Sequence, residues 1–250
     1  MQTSIPATSV VMASLLKADF TTQWRNRRAV ILTLLVPVII LTSWKPLVIR
    51  FGGPFILSTC ITIGLMAIGL MGYSNSIARD RDKGIFQRLR VAPVPTWSIM
   101  ISRLSVQLAM ILLVTSMVFI VGNNYDKITL SPLGYVLTYL AAMVGGAVYL
   151  GLGQAVVGLI KNPETVNSTT RLIYFVFIMV GMFGDLGQLY PTVGEVVKYS
   201  PYGSVKHLLS ASMEPAAWNQ QASIALLVTV GYAIFFSSIG IKWFKWTSTK

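Results

Sequence analysis

The chain has 250 residues, of which 54% are hydrophobic and only 11% charged, with a formal net charge of +12. Soluble domains carry about a quarter charged residues, so this composition excludes an ordinary water-soluble fold. The basic residues are scattered between apolar runs and build no exposed basic domain, which excludes nucleic acid as a partner.

Residues 1–28 come first as an amphipathic arm. Met12, Leu16, Phe20 and Trp24 recur every fourth residue, with Lys17, Thr21, Arg25 and Arg28 on the other side. This pattern predicts a helix lying in the membrane interface. Six apolar runs follow, each close to the roughly 20 residues a span needs: 29–48, 51–78, 99–121, 133–160, 172–189 and 222–244. Lys45 shortens the first run and can snorkel from the end of a tilted helix. Pro37 predicts a kink in that span, since it removes one backbone hydrogen bond. A tight turn over 45–54 holds Pro46, Gly52, Gly53 and Pro54, so the first two spans should form a hairpin.

The fourth run contains Gly145, Gly146, Gly151, Gly153 and Gly158 with alanines between them. Small residues let helices approach closely in a bilayer; a flexible gating helix is the alternative. Segment 185–221 is too polar to span and too apolar to be a solvated loop. It reads as two short helices broken at Pro201, a re-entrant form tolerated only where protein buries it or it lines a cavity. The chain is thus an all-α polytopic membrane protein. It has an interfacial helix over 1–28, a six-span domain over 29–246 and a tail over 247–250. There is no cleaved leader pattern, so the first span should be retained.

Basic residues set the topology. With an even number of spans both ends share a side, and that side carries fifteen of the twenty basic residues against five on the other. Both termini are expected in the cytoplasm, in a cell (plasma) membrane. The densest charge lies in loop 78–98, between the second and third spans. There Ile85, Phe86 and Leu89 cluster on one side of a helix. Arg79, Lys83 and Arg90 flank that patch, as do Arg81 and Arg88. Asp80 and Asp82 are placed in the first helical turn, which suits the helix dipole. Gly84 marks a bend, Pro93 and Pro95 stop the helix, and Thr96 can cap the next. Anionic lipid alone would need neither the aspartates nor the bend, which favours a protein partner for this loop.

Signatures of catalysis are few. No G-x-x-x-x-G-K-[ST] phosphate loop is present, so this chain binds no ATP by that route. A lone His207 cannot build a metal site. Cys60 is the single cysteine, so no intrachain disulfide can form. Asp185 and Glu195 fall near the outer end of the fifth span, where hydration competes with any substrate or proton role. Asn75, Arg103 and Gln154 are the main polar residues within the spans. That is little for a standalone ion-coupled carrier, which needs ionisable groups near mid-membrane, or for a membrane enzyme. Those two remain the alternatives, together with an assembly or receptor-like subunit.

The string from Ala78 to Pro95 resembles the loop of ABC-2 type transporter permeases, which reads E-R-E-x-G-T-[LF]-E-x-L-x-[VA]-[TS]-P. Arg79, Asp80, Arg81, Gly84, Phe86, Leu89 and Pro93 match in order. Aspartates stand for the usual glutamates, Ile85 for threonine and Gln87 for glutamate, and Lys83 takes a place that is often charged. Residues 161–167 are similar to the short inner loop of that family, and Ser200-Pro201-Tyr202 to its Asn-Pro-x-Tyr stretch.

The resemblance implies the membrane subunit of an ATP-binding-cassette exporter, paired with a second permease copy, identical or related. Two cytoplasmic ATPase subunits, which carry the ATP and Mg, would dock on Arg79, Asp80, Arg81, Gly84, Phe86, Arg88 and Leu89 and on the N-terminal arm. No cofactor is expected on this chain. A substrate path between the two copies would be lined by the second and fifth spans, with Tyr174, Phe177, Met179 and Phe183 offering a surface for amphipathic or lipid-linked cargo.

Overall fold

A computed structural model describes residues 8–91, 96–185 and 191–244, and every regular element among them is helical. The expected stops at Pro93 and Pro95 and the cations Lys245 and Lys250 lie outside the described residues, as do the side chains of Arg90, Thr96, Asp185 and Val193. Five helices are long and apolar enough to cross a membrane, and a sixth crossing is reached if one bent pair counts as a span.

Helix α1 (Thr8–Arg25) packs chiefly along α7 (Thr96–Tyr125). Helix α2 (Arg27–Ser43) continues through Pro37, whose ring packs against Gly64. A sharp bend follows at Trp44, where α2 and α3 (Lys45–Phe51) meet at 66°. Pro46 is the cause: it cannot donate to the carbonyl four residues back, and its ring collides with that carbonyl. A helix can restart there because proline is favourable in a first turn. The turn expected over 45–54 is therefore mostly α3, and Gly52 alone joins it to the next helix with φ of 86°.

Helix α4 (Gly53–Met66), a π-helical segment (Ala67–Tyr73) and α5 (Ser74–Asp82) form one continuous helix of 30 residues. It is the most enclosed span, touching α2, α7, α8 (Pro132–Leu159) and α11 (Pro201–Met213). Cys60 is buried within it. The helix runs on past Ala78, so Asp80 and Asp82 end a helix rather than begin one. Lys83 and Gly84 break the chain direction, and α6 (Ile85–Val91) follows. The single amphipathic helix expected over 78–90 is thus two helices with an elbow at Gly84, whose φ of 67° suits glycine.

Helix α9 (Pro163–Asp185) begins at Pro163 rather than Leu172. Asn162 caps it, its Oδ1 accepting from the backbone N–H of Glu164 at 2.8 Å and of Thr165 at 3.3 Å. Hydropathy underestimated this element because its first turns are polar, although Asn-Pro-Glu is a strong start signal. Helices α10 (Pro191–Lys198) and α11 divide at Ser200–Pro201, where Ser200 Oγ accepts from the N–H of Gly203 at 3.0 Å. Helix α11 is buried against α4, α8 and α12 (Gln220–Trp243), and Lys206 holds its ammonium 3.5 Å over the Phe55 ring.

Among the described residues the most extensive helix contact is that of α8 with α12. A Cβ on Gly151 would lie 2.7 Å from Ser237 Oγ, and one on Gly240 would lie 2.9 Å from the backbone N of Ala155. Gly145 meets Val205 of α11 in the same manner, at 2.6 Å. The glycines of α8 therefore let α11 and α12 approach closely, which is the use small residues have where lipid and side chains are equally apolar.

Candidate coupling site

The α5–α6 elbow is held by two arginines that serve different neighbours. Arg81 is 2% exposed and projects inward from the last turn of α5. Its Nη1 donates to the carbonyl of Val157 at 2.6 Å, and its Nη2 to those of Ile160 and Lys161 at 2.7 and 2.8 Å. The last carbonyls of a helix have no partner within it, and the negative end of the dipole favours a cation there. Arg81 thus caps α8 from a different helix. A planar fork spreads these bonds over two nitrogens, whereas a lysine has only one nitrogen to place.

Arg103 of α7 is the second tie. Its Nη2 lies 2.5 Å from Asp80 Oδ2, and its Nε lies 3.2 Å from Asp19 Oδ1 of α1. The Nε contact is an ion pair without hydrogen-bond alignment. Ser102 Oγ donates to the other oxygen of Asp19 at 2.6 Å. The three charged side chains are about 13–15% exposed, so solvent screens them only partly. Burial holds the Asp19 carboxyl above its ordinary range, with Arg103 and the Ser102 hydrogen bond pulling it back and Asp80 adding to the rise. One cation therefore joins α1, α5 and α7.

Phe86, fully buried, anchors α6. It meets Phe244 edge to face with ring centres 5.9 Å apart, and the Arg103 guanidinium lies 6.0 Å from its centroid. These contacts sit in an apolar cluster with Tyr73, Ile77, Ile99, Val157 and Val166, and half-buried Leu89 packs against it. Arg79, Asp82, Lys83, Gln87 and Arg88 are exposed.

The seven loop residues singled out by sequence therefore divide. Arg81, Asp80, Phe86 and Leu89 face the bundle, Gly84 makes the turn, and Arg79 and Arg88 face outward. Sequence reasoning missed Asp19 and Ser102. The signal was present: Arg103 sits inside an apolar helix and requires a counter-charge, and Asp19 is the single acid in an otherwise cationic arm.

The four residues proposed along the fifth span are not brought together. Tyr174 and Phe177 pack toward the core, Phe177 with its ring centre 6.4 Å from that of Tyr149. Met179 and Phe183 fall on the opposite side of α9, and Phe183 is 60% exposed. Among the described residues no group of three or more His, Cys, Asp or Glu side chains could hold a metal ion.

The elbow, the α10–α11 pair and the spans from α4 to nearly the end of α12 fall within residues 50–242, which match the family model described as ABC-2 family transporter protein. No curated protein matches the chain. The matched residues exclude α1 and α2 entirely, so Asp19 lies outside the part that defines the family while its partner Arg103 lies inside. With more than half of its length covered by that model and its helices arranged as membrane spans, the chain is a multi-pass membrane protein and belongs to the ABC-2 family of transporter membrane domains.

Proposed function

We propose that the chain is the permease subunit of an ABC exporter, moving an amphipathic or lipid-linked substrate outward with ATP hydrolysed on a separate subunit. Family membership implies an ATPase partner. In this reading two cytoplasmic ATPases carry the ATP and Mg, and a second permease copy, identical or related, completes the path. The segment 1–28 is the interfacial helix, 29–246 the spanning domain and 247–250 the tail. Loop 78–98 and both ends face the cytoplasm of a plasma membrane, and 185–221 faces outside, as the excess of basic residues favours.

The observation that carries this reading is the double tether of the elbow. A push on α6 is passed to the end of α8 by Arg81, and to α1 and α7 by Arg103 with Asp80 and Asp19. Nucleotide state can move the spans only if it binds their two arrangements unequally. A rigid elbow with exposed Arg79, Gln87 and Arg88 can transmit such a difference. Arg81, Asp80, Phe86 and Leu89 then act as positioning residues, and Arg79 and Arg88 make the contact itself. The ionisable side chains Asp80, Arg81 and Arg103 sit at one end of their helices and are paired within the chain. A proton- or sodium-coupled carrier would use such groups at mid-membrane, so that alternative gains no support.

The test is purification of the tagged chain in mild detergent with whatever accompanies it. Recovery of a soluble nucleotide-hydrolysing subunit, lost in Arg88→Glu while the melting temperature holds, is the expected result. Recovery of stable wild-type chain without any ATPase would return the standalone carrier or membrane enzyme to first place.

A further inference from the structure

Between the end of α1, the start of α2, the π-helical segment with α5, and α7 lies a cavity of about 220 Å³. Its lining includes exposed Arg79 and Lys83, Asn26, and the apolar Ile68 and Met110. Gln107 of α7 also lines it. That side chain is 5% exposed and has no hydrogen-bond or ionic partner among the described residues. Its amide opens on the cavity rather than being sealed in protein, so a ligand there can supply its partner. Asn26 precedes α2 without capping it, which leaves its side chain available as well.

The π-helical segment Ala67–Tyr73 forms part of the cavity wall, contributing Ile68 and Gly72. Such interruptions of α-helix recur at functional sites. The charges are complementary to an anion. Asp80, the one acid in its lining, is already engaged by Arg103, so the cations Arg79 and Lys83 dominate its charge. The location fixes the kind of anion. The cavity opens at the level of an amphipathic helix with Phe20 and Trp24 exposed, where headgroups lie.

We propose that this cavity binds the phosphate-bearing headgroup of an anionic lipid from the leaflet on which α1 rests. The phosphate lies between Arg79 and Lys83, Asn26 and Gln107 donate to its oxygens, and the first apolar part of the lipid meets Ile68 and Met110. The site links lipid to the elbow, because Arg79 and Lys83 flank the Asp80–Arg103 pair.

The experiment uses the full chain in phosphatidylcholine nanodiscs doped with phosphatidylglycerol, with the lipid that survives mild delipidation counted by native mass spectrometry. Wild type should retain phosphatidylglycerol over phosphatidylcholine. Arg79→Gln with Lys83→Gln should lower that preference roughly tenfold, the loss of two cations near a membrane surface. Gln107→Leu, an apolar replacement of similar size, should lower it as well while the melting temperature holds. The exposed pair Lys17→Gln with Arg25→Gln, outside the cavity, should leave it unchanged.

Equal retention of both lipids by wild type would overturn the proposal. So would an equal drop in the Lys17 and Arg25 variant, which would mean diffuse surface attraction. Displacement of phosphatidylglycerol by millimolar inorganic phosphate would assign the site to free phosphate and overturn the lipid assignment. None of these readouts involves nucleotide, so they stand apart from the test of the exporter reading.

Discussion

Arg103 reaches Asp80 across the gap between α7 and the end of α5, with 2.5 Å between Nη2 and Oδ2, while the same guanidinium faces Asp19. The pair closes a loop of chain that includes the elbow and α6, so α6 cannot shift without moving α7 or breaking the contact. Removing one partner of a poorly exposed, hydrogen-bonded ion pair leaves the other uncompensated. Arg103→Gln and Asp80→Asn should each cost about 1.5–3 kcal/mol of stability. The two effects should not add, since both remove one interaction. A double-mutant cycle on melting temperature in detergent checks this, and full additivity would mean that the two groups do not interact.

Arg81 offers a sharper test, because its three acceptors are all backbone carbonyls. Arg81→Lys keeps the charge and loses the fork, so it should recover only part of the stability that Arg81→Ala removes. Hydrogen exchange at the end of α8 and the start of α9 is the local readout. Exchange there should rise most in the alanine variant and less in the lysine variant. An unchanged pattern in Arg81→Ala would show that the carbonyls find water in place of the arginine.

Much of this architecture was legible in the sequence because lipid imposes a simple rule on length and polarity. The spans, the helix break at Pro201 and the small-residue face of α8 all follow from it. Two things were hidden. Polar first turns concealed the start of α9, since hydropathy reports burial in lipid and not helix formation. The loop motif also mixed two roles that one dimension cannot separate. Phe86 and Leu89 looked like an apolar docking patch, yet they seal α6 against Phe244 and Val166. Phe86→Asp would therefore bury a carboxylate and report on folding, whereas Arg88→Glu changes an exposed side chain.

The contact between α8 and α12 sets a limit on substitution. Gly240→Ala would bring a methyl group within 2.9 Å of the Ala155 backbone N, an atom that cannot move aside as a flexible side chain would. Overpacking of this kind costs about 1–3 kcal/mol. Gly231, on the same helix with nothing within 4 Å, provides the internal control. Gly231→Ala should be neutral or slightly stabilising, because alanine is the better helix former. Comparison of the two melting temperatures decides the matter, and equal values would mean that α12 is free to slide along α8.

Asp19 turns the balance between burial and ion pairing into a dependence on pH. Burial is the larger effect and lifts its carboxyl above the ordinary value of 3.8, despite the opposing pull of Arg103 and Ser102. An acid that holds its proton more tightly when folded makes the folded state the better proton binder. Stability then falls as pH rises from the unfolded value through the raised folded one, and is constant above it. Asp19→Asn removes that slope. Wild type should therefore lose stability relative to the variant as pH rises from about 4 toward 7. Melting temperatures of both proteins across that range give the answer. Wild type gaining stability instead would mean that the Arg103 ion pair outweighs burial, and that α1 is held to α7 chiefly by charge.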